Sequence, residues 1–220
     1  NYSGHGSSEM SWMWKRHAGF DVVTYKGDGS TFRNFNHSLG RTPEMMWVRG
    51  RGPNQANWYV YHKDLDNANR RNLKLENIDG QSSESTGNWN DTFPNATHFT
   101  VGVNANTNND NFVTMLFASV DGICKCGYYD GTGCEFTVTS GFQPRFVIIK
   151  AYNNTRGWTV LDTQRGWGAG VDNKIYLNDD VAQVNTWNYG EPTSTGFKVS
   201  PDPQYDINYT GWKYIYYAHA

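Results

Sequence analysis

Charge is scarce in this chain. Of its 220 residues only 18% are Asp, Glu, Lys or Arg, and the formal net charge is -2. No Lys/Arg run is present to displace counterions from a phosphate backbone, so nucleic acid is not an expected partner. No apolar stretch approaches the ~18 residues of a membrane span, and the opening NYSGHGSSEM does not read as a signal peptide. Cysteine is equally sparse. Cys124, Cys126 and Cys134 are an odd number, which argues against a disulfide framework. The main reading is small, semi-buried strand residues; a single disulfide from Cys134 to Cys124 or Cys126 is the alternative. A zinc site would want a fourth ligand. The stretch DLDNANRRN (Asp64 to Asn72) breaks the calcium-loop pattern at Ala68 and Arg70. Neither a metal nor a cofactor is therefore expected.

Convincing helical periodicity is also missing; only short helical turns around 64–70 and 162–168 fit. Catalytic patterns fare no better. GHGSSE (Gly4 to Glu9) fails the spacing of a nucleophile elbow. Glycoside hydrolysis would need two facing carboxyl groups, and Asp64 with Glu76, or Asp162 with Asp179 or Asp180, are the candidates. Nothing in the sequence forces either pair together, and no catalytic residue is assigned.

What the chain has is aromatics and repetition. Aromatic residues reach 15%, with nine Trp and fourteen Tyr, each able to remove ~150–250 Å² from water. Landmarks recur in the same order, about one domain length apart. YKGDG at Tyr25 answers YDGTG at Tyr129. TPEMMWVRGR (Thr42 to Arg51) answers QPRFVIIKAY (Gln143 to Tyr152), WYVYHKDL answers WTVLDTQR, and LKLEN answers IYLND. Trp89, Pro94 and Phe99 answer Trp187, Pro192 and Phe197, and NFVTMLFA answers KYIYYAHA. Strand signals bounded by Gly, Pro and Asn turns dominate each copy. The expectation is all-β: two tandem antiparallel β-sandwiches of jelly-roll or lectin-like type, over residues 19–121 and 122–220. YKGDGST and YDGTGCE read as hairpin turns with Gly at positive φ. Residues 1–18, with EMSWMWKR where the last strand of a copy should lie, read as the last strand of a preceding repeat, needing a partner sheet. The chain would then be the C-terminal part of a longer protein.

Recurrence between copies points to packing. Trp58 with Trp158, Trp89 with Trp187 and Phe99 with Phe197 are the expected repeat core. Trp47, Trp167 and Trp212 have no aromatic counterpart, and Asn108, Asn153 and Asn154 sit in amide-rich loops. These six are the candidate receptor or interface residues, because amides and exposed rings together suit sugars or a protein surface.

The ordered set Y-x-G-x-G, HSLGRTPEMMWVRGR, WYVYHKDL, WN…P, FTVG and LFAS resembles a domain found in tandem at the C-terminal ends of bacteriophage tail-fibre and other tail proteins, abundant in cyanophages. The resemblance runs over nearly the whole chain. It implies an extracellular virion component in a host-attachment appendage, homo-oligomeric and trimeric by preference. The implied partners are other virion tail proteins and a host cell-surface glycan or protein. It carries over no catalytic residue. A purely structural tail or spacer protein and a capsule-degrading glycosidase are the competing expectations.

Overall fold

The computed structural model describes residues 12–52, 57–201 and 206–220. Period-two burial shapes its strands. In β7 (Asn111–Phe117) Phe112, Thr114 and Leu116 are buried on one face, while Val113 and Met115 on the other are half-buried. Such alternation marks one face as more deeply covered than the other. By contrast, β10 (Phe146–Ala151) is buried at every position, so it must be covered on both faces.

The first half adds β1 (Phe20–Lys26), β2 (Arg33–Asn36), β3 (Met45–Gly50), β4 (Trp58–His62), β5 (Leu73–Lys74) and β6 (His98–Val101). The second adds β8 (Cys124–Asp130), β9 (Phe136–Thr139), β11 (Thr159–Asp162), β12 (Lys174–Tyr176), β13 (Pro192–Thr193), β14 (Gly196–Val199) and β15 (Lys213–His219). All pairings are antiparallel. The sheet orders are β1-β7-β3-β4-β5 and β8-β15-β10-β11-β12, with smaller sheets β2-β6 and β13-β14-β9. The fold is all-β, and the structure has only two short 3-10 turns among the described residues. β3 and β10, the strands of the paired TPEMMWVRGR and QPRFVIIKAY motifs, each lie at the centre of a five-stranded sheet.

The sheets stack in four layers. One face of the first large sheet meets β2-β6 through the stacked rings of Tyr25, Phe35 and Phe112, and Tyr61 on that face packs against Trp89 of the loop before β6. Its other face meets the second large sheet, where Phe117 lies 5.1 Å from Tyr217 and 4.9 Å from Trp47 between ring centroids. The far face of the second large sheet packs on β13-β14-β9 through Tyr216 and Phe197. One continuous core therefore includes Trp47, Phe117, Trp158, Ile148 and Tyr217, drawn from both halves, and a second core around Phe197 lies wholly in the second half.

The glycine turns are corners rather than hairpins. Gly29 and Gly133 take φ of 77° and 72°, which only glycine adopts readily. The strands they join enter different sheets, because β1 pairs with β7 while β2 pairs with β6. A buried asparagine holds each corner. Gly29 N donates to Asn106 O, and Asn106 Nδ2 donates to Asp28 Oδ1 at 2.7 Å. Asn208 Oδ1 accepts from the Thr132 and Gly133 amides and its Nδ2 donates to Cys134 O.

The expected N-terminal strand is corrected in part. Residues 1–11 lie outside the described ones, and 12–18 form no strand. Trp14 instead wedges between the halves, against Phe20, Trp47, Phe117 and Phe146. Aromatic burial at the junction outcompetes edge pairing there. Arg16 Nε donates at 2.5 Å to the fully buried Asp21, which also accepts from Ser38 and Val22. Burial works to raise the Asp21 pKa, but these partners outweigh it and hold the carboxylate ionised.

His62 shows the energetic cost of the shared core. It is fully buried at the end of β4. Burial, helped by Lys63, pushes its pKa down to about 3. An unfolded histidine titrates near 6.5, so the unfolded chain binds more protons between those values and stability falls as pH drops below about 6.5. We expect a loss of about 2–3 kcal/mol between pH 7 and 4.5 from this group. His62→Gln should remove that component, as read from urea midpoints at the two pH values. An unchanged acid sensitivity in the variant would refute it.

Candidate functional site

The two halves meet along a backbone seam at the surface as well as through their cores. The segment 78–81 of the first half docks on 152–156 of the second. Gln81 N donates to Tyr152 O at 2.6 Å, and Arg156 N donates to Ile78 O at 2.8 Å. Lys150, fully buried in β10, reaches across with Nζ to Ile78 O at 2.9 Å and to Arg156 O at 2.5 Å. Burial pushes its amine down to about 7, with Asp79 opposing. The aligned Arg49 solves the same problem differently, laying its guanidinium over Trp58 at 5.3 Å.

On this seam lies a concavity of about 400 Å³, lined by Arg71, Gly80 and Gln81 from one half and by Tyr152, Asn153, Asn154 and Thr155 from the other. Its chemistry is polar: amides, a hydroxyl, a guanidinium and exposed backbone. Asn153 is partly committed, because its Oδ1 accepts from Lys213 N at 2.8 Å. Asn154 is exposed, and its Oδ1 accepts from Thr155 N at 2.8 Å. Arg71 is steadied by Glu84 at 3.5 Å and by Ser82 O. Rigid donors set in a shallow bowl suit a ligand rich in hydroxyl or carboxylate oxygens.

A second concavity of about 420 Å³ lies where Lys63 and Asp64 meet β8 and β9, with Tyr128, Tyr129, Phe136 and Tyr216 in its wall. Tyr128 is 57% exposed there. Burial pushes the Asp64 carboxyl upward, and Lys63 opposes.

Of the candidate receptor residues, Asn153 and Asn154 come together in the seam concavity. Asn108 is exposed at the β1–β2 corner, opposite Gly29, and does not line it. Trp212 is half-buried between Tyr209, at 5.0 Å, and the Arg156 guanidinium, at 5.2 Å. Two expectations are corrected. Trp47 and Trp167 are buried, not presented. Trp47 lies in the core shared by the two large sheets, packed on Trp14 and Phe117. Trp167 follows Gly166, whose φ of 96° turns the chain inward and packs the indole on Phe197. The repeat core is corrected once: Trp187 is 41% exposed, and Tyr189 is the buried ring of that loop. Trp89, Trp158, Phe99 and Phe197 are buried, and Trp58 is half-buried.

Three of the five candidate carboxylates, Glu76, Asp162 and Asp179, have structural work. Glu76 Oε2 accepts from Trp58 N, as Asn178 Oδ1 does from Trp158 N. Asp162 caps the following turn through Gln164 N and accepts from Trp12 Nε1. Asp179 accepts from Val181 N. Among the described residues, no three His, Cys, Asp or Glu side chains are grouped to hold a metal ion, and no helix is long and apolar enough to cross a membrane. All three cysteines are free: Cys124 and Cys126 buried in β8, Cys134 exposed.

A family model described as a domain of unknown function, DUF7483, matches residues 1–220. The chain belongs to the DUF7483 family. No curated protein and no solved structure matches it. The DUF7483 match takes in both halves together with the segment before them, so the seam and its concavity lie inside the family's unit. Sequence comparison between copies missed Arg71 and Gln81. A bowl assembled from loops of different halves leaves no motif in either; only the amide enrichment of Asn153 and Asn154 pointed toward it.

Proposed function

We propose that this chain is a non-enzymatic attachment module of a bacteriophage tail appendage, binding host-surface glycan through the concavity on the seam. The observation that supports it is the convergence of Arg71 and Gln81 with Asn153, Asn154 and Thr155 in one polar bowl. Sugars present many hydroxyls in fixed geometry, and a preformed array of amide and guanidinium donors meets them with little ordering cost. The two halves share one strand order, which supports a duplicated ancestral unit. On this reading the module is extracellular, part of the virion, and trimeric. Several copies of a weak site would then bind a cell surface through avidity.

The test is adsorption of the oligomeric protein to host cells and to a glycan array. We expect Asn154→Ala combined with Thr155→Ala to weaken binding roughly tenfold, the effect of about 1.4 kcal/mol, with the melting temperature unchanged. Undiminished adsorption by the double variant, or none by the parent protein, defeats the proposal.

A further inference from the structure

We propose that Lys174 and Asp206 become joined by an intramolecular amide bond between Nζ and Cγ. The pair lies in the second half, beside edge strand β12. Lys174 opens β12, and Asp206 precedes the Asn208 corner that leads into β15. Both side chains are almost wholly buried, at 1% and 6% exposure, and Nζ is in direct contact with Oδ2. The rings of Tyr176 and Tyr189 each lie 4.5 Å from Nζ and wall the ammonium from water. Two reciprocal backbone bonds between Lys174 and Val184 fix the strand that carries the amine.

A buried ion pair of this kind loses much of its solvation, and a low dielectric narrows the gap between the charged pair and the neutral amine with carboxylic acid. The neutral form is the reactive one, because only a free amine is a nucleophile. The protein supplies the path to it. Lys174 Nζ donates to the Tyr176 hydroxyl at 2.6 Å, and that hydroxyl donates to Asp206 Oδ2 at 2.7 Å. One proton passes from ammonium to carboxylate along this relay. The Nζ lone pair then attacks Cγ. The Nζ–Cγ bond forms and the Cγ–Oδ2 bond breaks. A second proton leaves nitrogen through Tyr176, so Oδ2 departs as water. The ammonium and carboxylate give an amide and one water molecule, with no oxidation or reduction. Tyr176 touches both reacting atoms and acts as the general acid and base. Fixed contact replaces the encounter that makes such condensation slow between free groups.

The link would tie β12, an edge strand, to the chain before β15 across the long irregular stretch 177–191. The three cysteines make no such tie anywhere among the described residues.

The experiment is the intact mass of the denatured full-length chain after prolonged incubation of the folded protein, followed by peptide mapping. We expect the mass to be lower by one water molecule, with a branched peptide joining the fragments that contain Lys174 and Asp206. Lys174→Arg keeps a cation beside Asp206 but should show the full sequence mass, as should Asp206→Ala. Tyr176→Phe should convert at least tenfold more slowly. A parent chain at full sequence mass overturns the proposal whatever the variants do. A water loss that persists in Lys174→Arg overturns it too, and unchanged conversion in Tyr176→Phe removes the relay.

Discussion

Trp158→Ala should lower the stability of the whole chain by about 3–5 kcal/mol, the usual cost of removing a fully buried tryptophan. The indole is 1% exposed. It belongs to the second half by sequence, yet it packs in the core dominated by the first. Its Nε1 donates to Lys74 O at 2.9 Å across the junction. Truncation therefore opens a cavity and strands a carbonyl at the same point. Trp158→Phe keeps most of the apolar volume and should cost only about 1–2 kcal/mol, largely the lost hydrogen bond. Because the core is shared, chemical denaturation of the parent should show one transition, by intrinsic fluorescence and by circular dichroism alike. In Trp158→Ala the two probes should separate if the halves uncouple. A loss below about 1 kcal/mol would mean the junction does not carry the coupling assigned to it.

The second large effect is a rise in stability with pH, centred on Lys150. Burial holds its folded pKa near 7, against an unfolded value near 10.4. Between those values the unfolded chain binds the extra proton, so stability increases as pH rises through 7. The gain from pH 7 to 8.5 should be about 1–2 kcal/mol. Higher pH is less informative, because burial raises the thiols of Cys124 and Cys126 and their effect runs the other way. Lys150→Met should flatten the slope. It should also remove the Nζ donor from Arg156 O and from Ile78 O, which keeps only Arg156 N, loosening the seam, so the variant should be less stable than the parent at pH 8.5. Guanidinium midpoints across this range, in parent and variant, decide the matter. Parallel slopes would show that Lys150 stays charged on its two carbonyl acceptors.

Much of the fold was legible in advance because strand periodicity is local. The runs MMWVRG and FVIIKA read as strands, and both are central strands. The glycines at positive φ were legible from their turn motifs, although those turns change sheets. Their corner asparagines, Asn106 and Asn208, went unnoticed, since a single amide carries no periodic signal. For the candidate site, the amide-rich loop 152–155 was visible in composition. Its partners Arg71 and Gln81 were not, since only docking of one half on the other brings them near.

The tryptophans mark where local reasoning stops. Lack of recurrence suggested exposure for Trp47. The aligned residue is Ile148, and both lie on sheet faces that meet at the junction. Packing there demands complementary volumes rather than equal ones, so a difference between copies is what a buried interface between them requires. Trp187 fails the opposite way: it aligns with buried Trp89, yet Tyr189 takes the interior position.

By itself, then, the amino-acid order determined an all-β chain, the position of its strands, and the glycines that turn it, because each depends on a few neighbouring side chains and backbone angles. Tertiary structure decided which sheet face is covered, which tryptophans are interior, and where a polar bowl and a buried Lys174–Asp206 pair arise. Those features depend on surfaces brought together from distant parts of the chain, and burial is a property of the neighbour as much as of the residue.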